Sequence, residues 1–130
     1  AMAAILPMAN KAGVKLLTGD DFGARGVDHG AYAEELILYA REIGIPALDV
    51  IRWATKHGAE AMGMGDQTGT LAPGKLADLL VVAGDPAADI AVLRDRANLL
   101  AILKGGTAIK DELSRIAAHH EAFTVSGENS

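Results

Sequence analysis

The run VKLLTGDD at residues 14–21 constrains this chain more than any other segment. Val14, Leu16 and Leu17 form a short apolar stretch that ends on a glycine and two carboxylates. Buried parallel strands read in this way, as continuous hydrophobic runs rather than alternating ones. Upstream, residues 2–11 (MAAILPMANK) have helix-forming composition, with Pro7 best tolerated near a first turn and Gly13 as a stop. Downstream, residues 21–30 (DFGARGVDHG) read as a glycine-rich loop. A parallel-type strand with both edges open cannot stand alone. Its neighbours have to come from further sequence or from another copy of the chain.

Two helices follow the loop. Tyr32, Leu36, Tyr39 and Ile43, at spacings of three and four, predict a helix over about 31–43, with Gly44 beyond its end. Pro46 is expected at the first position of the second helix, with Asp49 in the following turn. Leu48, Ile51, Trp53, Ala54 and Met62 supply its apolar surface until Gly63 or Gly65 ends it, and Trp53 reads as a core or interface plug. The character changes at residue 65. GDQTGTLAPGKLADLLVVAGDP places turn signals at Gly69, Pro73-Gly74 and Gly84-Asp85-Pro86 around the β-like run LADLLVV. One helical turn is expected at 90–94, a strand at 98–103, and a Gly105-Gly106 turn into a further strand at 107–109. Residues 112–122 read as helical, and FTVSGENS as a frayed end. These readings divide the chain into residues 1–64, 65–112 and 113–130.

Composition narrows the chemistry. Half of the 130 residues are hydrophobic, so the chain can bury a core. The net charge is −5 and Lys and Arg are scattered singly, which argues against a nucleic-acid partner, since phosphate binding needs a concentrated basic face. There is no cysteine, which excludes disulfides and thiolate-held metals and fits a cytoplasmic setting. The apolar opening at residues 1–8 has no basic leader and is far shorter than the roughly 20 residues of a membrane span, so no membrane partner is expected.

Among residues able to do chemistry, Asp20 and Asp21 stand at the end of the apolar run, and by themselves serve as well to cap a turn. His29 sits in a loop. His57 lies within a helix and reads as structural. His119 and His120 are adjacent on a helix, about 100° apart, and so do not chelate together. GMGDQTG is not a phosphate loop, because no GK[ST] follows.

Three features in order resemble the C-terminal end of metal-dependent hydrolases of the amidohydrolase superfamily, in the imidazolonepropionase and Xaa-Pro dipeptidase groups. They are the strand closing on a small-residue–Asp tip (LLTGDD), the HG-containing loop and acidic helix start (DHGAYAEEL) with the helix ALDVIRWATKHGAEAMGM, and the segment GTLAPGKLADLLVVAGDP. The last is the most specific, and the resemblance covers roughly residues 1–112. It implies an α/β fold: the last strand and helices of a (β/α)8 barrel, followed by part of a small β-sandwich. In such barrels catalytic groups stand at the C-terminal ends of strands.

The resemblance makes 14–21 the eighth strand and Asp20 its tip, because Thr18-Gly19-Asp20 falls where the family has its small–small–Asp sequence. Alternation along a strand keeps Asp21 from sharing that direction. In the family this carboxylate binds a divalent metal, most often zinc, and takes the proton as metal-activated water attacks the substrate. Asp21, Phe22 and His29 would then lie on the substrate side, and a small molecule with a C–N bond (an amide, cyclic amide or amidine, or dipeptide) would be the substrate. The other family ligands, an HxH pair, a Lys or Glu and two later histidines, belong to earlier strands. A catalytic zinc site uses about three protein ligands and a complete barrel about 250 residues. The chain by itself is therefore expected to be inactive. The missing barrel segment would come from the same polypeptide or a partner chain; alternatively, the chain is a self-associating, non-catalytic module, a homo-oligomer descended from that family.

Overall fold

A computed structural model describes residues 2–19 and 29–117. Helix α1 (Met2–Lys11) carries Pro7 in its middle rather than in its first turn. It ends as the turn chemistry dictates: the Gly13 and Val14 amides donate to Asn10 O and Ala9 O, each at 3.0 Å. Helix α2 (Ala33–Ile37) widens into a π-helical stretch, Leu38–Glu42. Helix α3 (Ala47–Arg52) does the same at Trp53–His57 before α4 (Gly58–Ala61) completes it. Pro46, expected inside this helix, instead precedes it in an extended conformation, with φ −53° and ψ 131°. Its carbonyl still accepts the Asp49 and Val50 amides, as the residue flanking a helix start does.

The second half is a three-stranded antiparallel meander, β1 (Leu79–Val82), β2 (Leu99–Lys104) and β3 (Thr107–Asp111). Leu79 pairs with Leu103 and Val81 with Ala101, while Lys104 pairs with Thr107 across the hairpin. The two hairpin residues, Gly105 and Gly106, have φ of +56° and +82°. Two consecutive positive φ values are what a turn matched to the twist of the flanking strands requires. Between β1 and β2 lie single turns of 3-10 helix, Ile90–Leu93 and Arg96–Asn98, started by Asp89 and Asp95, whose side chains accept the Ala91 and Ala97 amides. The expected helix at 112–122 is present over residues 113–117, and the remainder lies outside the described residues.

The core joins the two halves. Ile37, Ile45, Val50 and Trp53 come from the helices and Ile90 from the 3-10 turn, and all are buried. Trp53 packs edge-on against Tyr39, ring centroids 5.5 Å apart. Ion pairs flank Ile90 on both sides in sequence. Arg41 donates to both oxygens of Asp89 at 2.9 Å, and Arg94 donates to Glu34 at 2.6 and 2.8 Å. Such exposed pairs add little energy, but the two-pronged Arg94–Glu34 geometry fixes direction, whereas Arg41 reaches both Asp89 oxygens through one nitrogen.

The segment GTLAPGKLAD is explained by packing. A Cβ on Gly69 would stand 2.5 Å from the Ala59 Cβ and 3.0 Å from Thr55 O, and its φ is +86°. Only glycine lets this loop lie against the helix. The turn over Pro73-Gly74 is closed by the Lys75 amide on Ala72 O, and Lys75 Nζ reaches Gly65 O and Thr70 Oγ1, each at 2.6 Å. Asp78 accepts the Gly105 amide at 2.7 Å and the Thr68 hydroxyl at 3.3 Å, tying the β2–β3 hairpin to the loop.

The strand-like segment behaves differently from its sequence. Residues 14–19 belong to no helix or strand and pair with no strand among the described residues, and Val14 and Leu17 are half exposed. Burial of a parallel strand needs strands on either side, and the described residues contain none next to it.

Three outcomes follow from this packing. Trp53→Ala should lower the unfolding free energy by about 3–5 kcal/mol, the usual range for emptying a large aromatic site, read by urea titration followed by circular dichroism. Gly69→Ala, which adds both a left-handed alanine and an overlap, should lower it by about 2–4 kcal/mol in the same titration. The third concerns pH. The Arg94 hydrogen bond holds the Glu34 carboxyl below the usual range, and the Ala91 amide followed by Arg41 does so for Asp89. Because both are depressed in the fold, their stabilisation is complete above the ordinary carboxylate range and is lost as pH falls through the folded values. The melting temperature should be level from pH 7 to about 5 and drop below about 4, with a shallower drop in Glu34→Gln/Asp89→Asn.

Candidate functional site

Of the residues singled out in the sequence, Asp20, Asp21 and Phe22 lie outside the described residues. What the structure gives is the segment leading up to them. Residues 15–19 are fastened to the helical pair by three polar contacts. Lys15 Nζ meets Glu60 at 2.7 Å, and this hydrogen bond holds the Glu60 carboxyl below the usual range against the opposing effect of burial. The His57 ring nitrogen Nδ1 lies 2.7 Å from Leu16 O. A carbonyl only accepts, so the proton is on Nδ1 and the imidazole is the donor. At the end of the segment, the Gly19 amide donates to Glu35 Oε1 at 2.9 Å, and the Tyr39 hydroxyl donates to the same oxygen at 2.8 Å.

These contacts explain the placement of His57. The structural role read from its helical position is correct, and its partner is the backbone of the segment that ends at Gly19. Glu35 was not legible as a site residue. It looks like one of two acidic residues in the first turn of α2, where carboxylates are common for helix-dipole reasons. Its spacing of four from Tyr39 was the available signal, since residues four apart share a helix face.

His29 is exposed, in the turn that precedes α2. The adjoining Gly30 is among the residues lining an open groove of about 870 Å³ between α2 and the sheet. Its lining is mostly apolar, with Tyr32, Leu36, Leu80 and Ile102, and includes Arg94, Arg96 and Lys110. Among the described residues, no three His, Asp or Glu side chains are grouped so as to hold a metal ion. Those residues therefore do not fit a divalent-metal site by themselves. Among them, no helix is long and apolar enough to cross a membrane.

Comparison with known proteins places this geometry. The family model described as "Amidohydrolase family" matches residues 2–109. The chain is 34% identical over 64 residues to adenine deaminase 1 of Latilactobacillus sakei subsp. sakei (strain 23K), an alignment that takes in 49% of this chain and 11% of that protein. Its fold superposes on the crystal structure of a Xaa-Pro dipeptidase with bound methionine, with a TM-score of 0.71 and 34% identity, over 84% of this chain and 25% of that one. It also superposes on a putative prolidase from Bifidobacterium longum, with a TM-score of 0.74 and 28% identity, over 95% of this chain and 31% of that one. The chain thus spans about a quarter to a third of the length of these solved structures and a smaller share of the deaminase. The family implies a TIM-barrel-type fold and generally uses a divalent metal. The family match over residues 2–109, most of the chain, establishes that this chain belongs to the amidohydrolase family.

Proposed function

We propose that this chain forms the C-terminal end of the barrel and the adjoining sandwich strands of a metal-dependent amidohydrolase that cleaves amide-type C–N bonds in a small molecule. The observation that carries the reading is the superposition on a Xaa-Pro dipeptidase over 84% of the chain at 34% identity. On this reading residues 14–19 enter a parallel sheet as its last strand. The half-exposed Val14 and Leu17 side chains then face the neighbouring barrel elements, as buried strands of such barrels do.

In this assignment Asp20 supplies one carboxylate to the metal end of the barrel and receives the proton released as water attacks the substrate. Asp21, Phe22 and His29 face the substrate. A divalent metal, zinc in our assignment, would supply the lowered water pKa on which such hydrolysis depends. One carboxylate is too few ligands for that ion. The 130-residue chain is therefore inactive in isolation, and the remaining ligands come from the rest of the barrel.

The test is to incubate the purified chain with zinc, remove excess metal, and measure bound zinc and hydrolysis of a Xaa-Pro dipeptide. The expected result is less than one tightly bound ion per chain and no turnover. Stoichiometric tight zinc with turnover would overturn the inactivity of the chain alone. In a complete barrel carrying this C-terminal sequence, Asp20→Asn should lower kcat by at least about 100-fold, the lower range for loss of a proton-transfer group. An unchanged kcat would remove Asp20 from the mechanism.

A further inference from the structure

We infer that Glu35 is a positioning residue that sets the place of the strand tip from helix α2, an inference that rests on the assignment of Asp20 above. One oxygen, Glu35 Oε1, accepts both the Gly19 amide at 2.9 Å and the Tyr39 hydroxyl at 2.8 Å. Gly19 is the residue immediately before Asp20 in the chain. A glycine there brings no side chain of its own to pack, and among the described residues, its chain neighbours aside, no atom lies within 4 Å of where its Cβ would stand. Among those residues, the backbone at this point takes its direction from its hydrogen bond to Glu35 rather than from packing.

Tyr39 explains why the carboxylate stays in place. Residues 35 and 39 share a helix face, and the Tyr39 ring is itself held against the buried Trp53. The chain of contact runs from the core through Trp53, Tyr39 and Glu35 to the Gly19 amide. A residue that only stabilised the helix would not reach across to residue 19. The other two fastenings, at Lys15 and Leu16, act three or more residues further back and leave the last peptide to Glu35.

Neither partner of Glu35 Oε1 requires a negative charge, since both donate to one oxygen. Gln keeps that acceptor and Ala removes it. This gives the test. In the isolated chain, amide exchange at Gly19 should speed up about 10-fold or more in Glu35→Ala and stay near the wild-type rate in Glu35→Gln, with far-ultraviolet circular dichroism unchanged in both. In a complete barrel ending in this sequence, Glu35→Ala should lower kcat about 10- to 100-fold with KM within about 2-fold, the size expected when a reacting group is displaced by an ångström or less. Glu35→Gln should restore most of kcat.

Equal Gly19 exchange in the wild type and Glu35→Ala would overturn the inference, as would an alanine variant with undiminished kcat. A complete wild-type enzyme with no hydrolytic activity would instead overturn the functional assignment and leave the exchange result to judge the Glu35–Gly19 contact. Should Glu35→Ala fail to fold, Tyr39→Phe, which removes one of the two donors and keeps the ring, should show a smaller increase in Gly19 exchange, and no increase there would count against the inference.

Discussion

The contact of Ile90 with the Trp53 cluster is the interaction on which the arrangement depends, because it is where the helical half and the β half share one core. Ile90 is almost fully buried although it lies in a single 3-10 turn on a connecting segment. Burying such a side chain contributes about 1.5–3 kcal/mol, more than any exposed ion pair nearby. The Arg41–Asp89 and Arg94–Glu34 ion pairs do a different job. They fix the direction in which the turn approaches α2, so that Ile90 enters the cluster rather than facing water. With that joint made, the sheet is held beside α2, and the groove between them follows.

From the same core a second line of contact reaches residues 14–19. Leu6 and Leu16 pack at its edge, and the polar contacts of Lys15, His57 and Glu35 hold the segment along the helical pair. No sheet partner is present among the described residues to supply a hydrogen-bond ladder here, and helix side chains hold the segment instead.

The most specific sequence signal and the carboxylate proposed for the chemistry lie in different places. GTLAPGKLAD identifies the family, yet its residues serve the fold: Gly69 gives room to Ala59, Lys75 closes the loop on Gly65 O, and Asp78 ties down the hairpin. Such a segment is recognisable because several steric and hydrogen-bonding demands fall on consecutive residues. A single carboxylate at a strand tip carries no comparable pattern, since one Asp before another serves turn capping as readily as chemistry.

The sequence by itself determined the local structure. Glycine and proline positions marked the helix ends and the hairpin, the three- and four-residue spacing marked the helical pair, and Trp53 was recognisable as a plug, because each of these depends on neighbours within a few residues. Only the tertiary structure decided that Ile90 completes the Trp53 cluster and that residues 14–19 pair with no strand among the described residues. It also decided that Glu35 and His57 act on backbone groups far away in sequence. The reason is physical: those contacts join residues sixteen to fifty or more positions apart, and local composition cannot register a partner brought in by the fold.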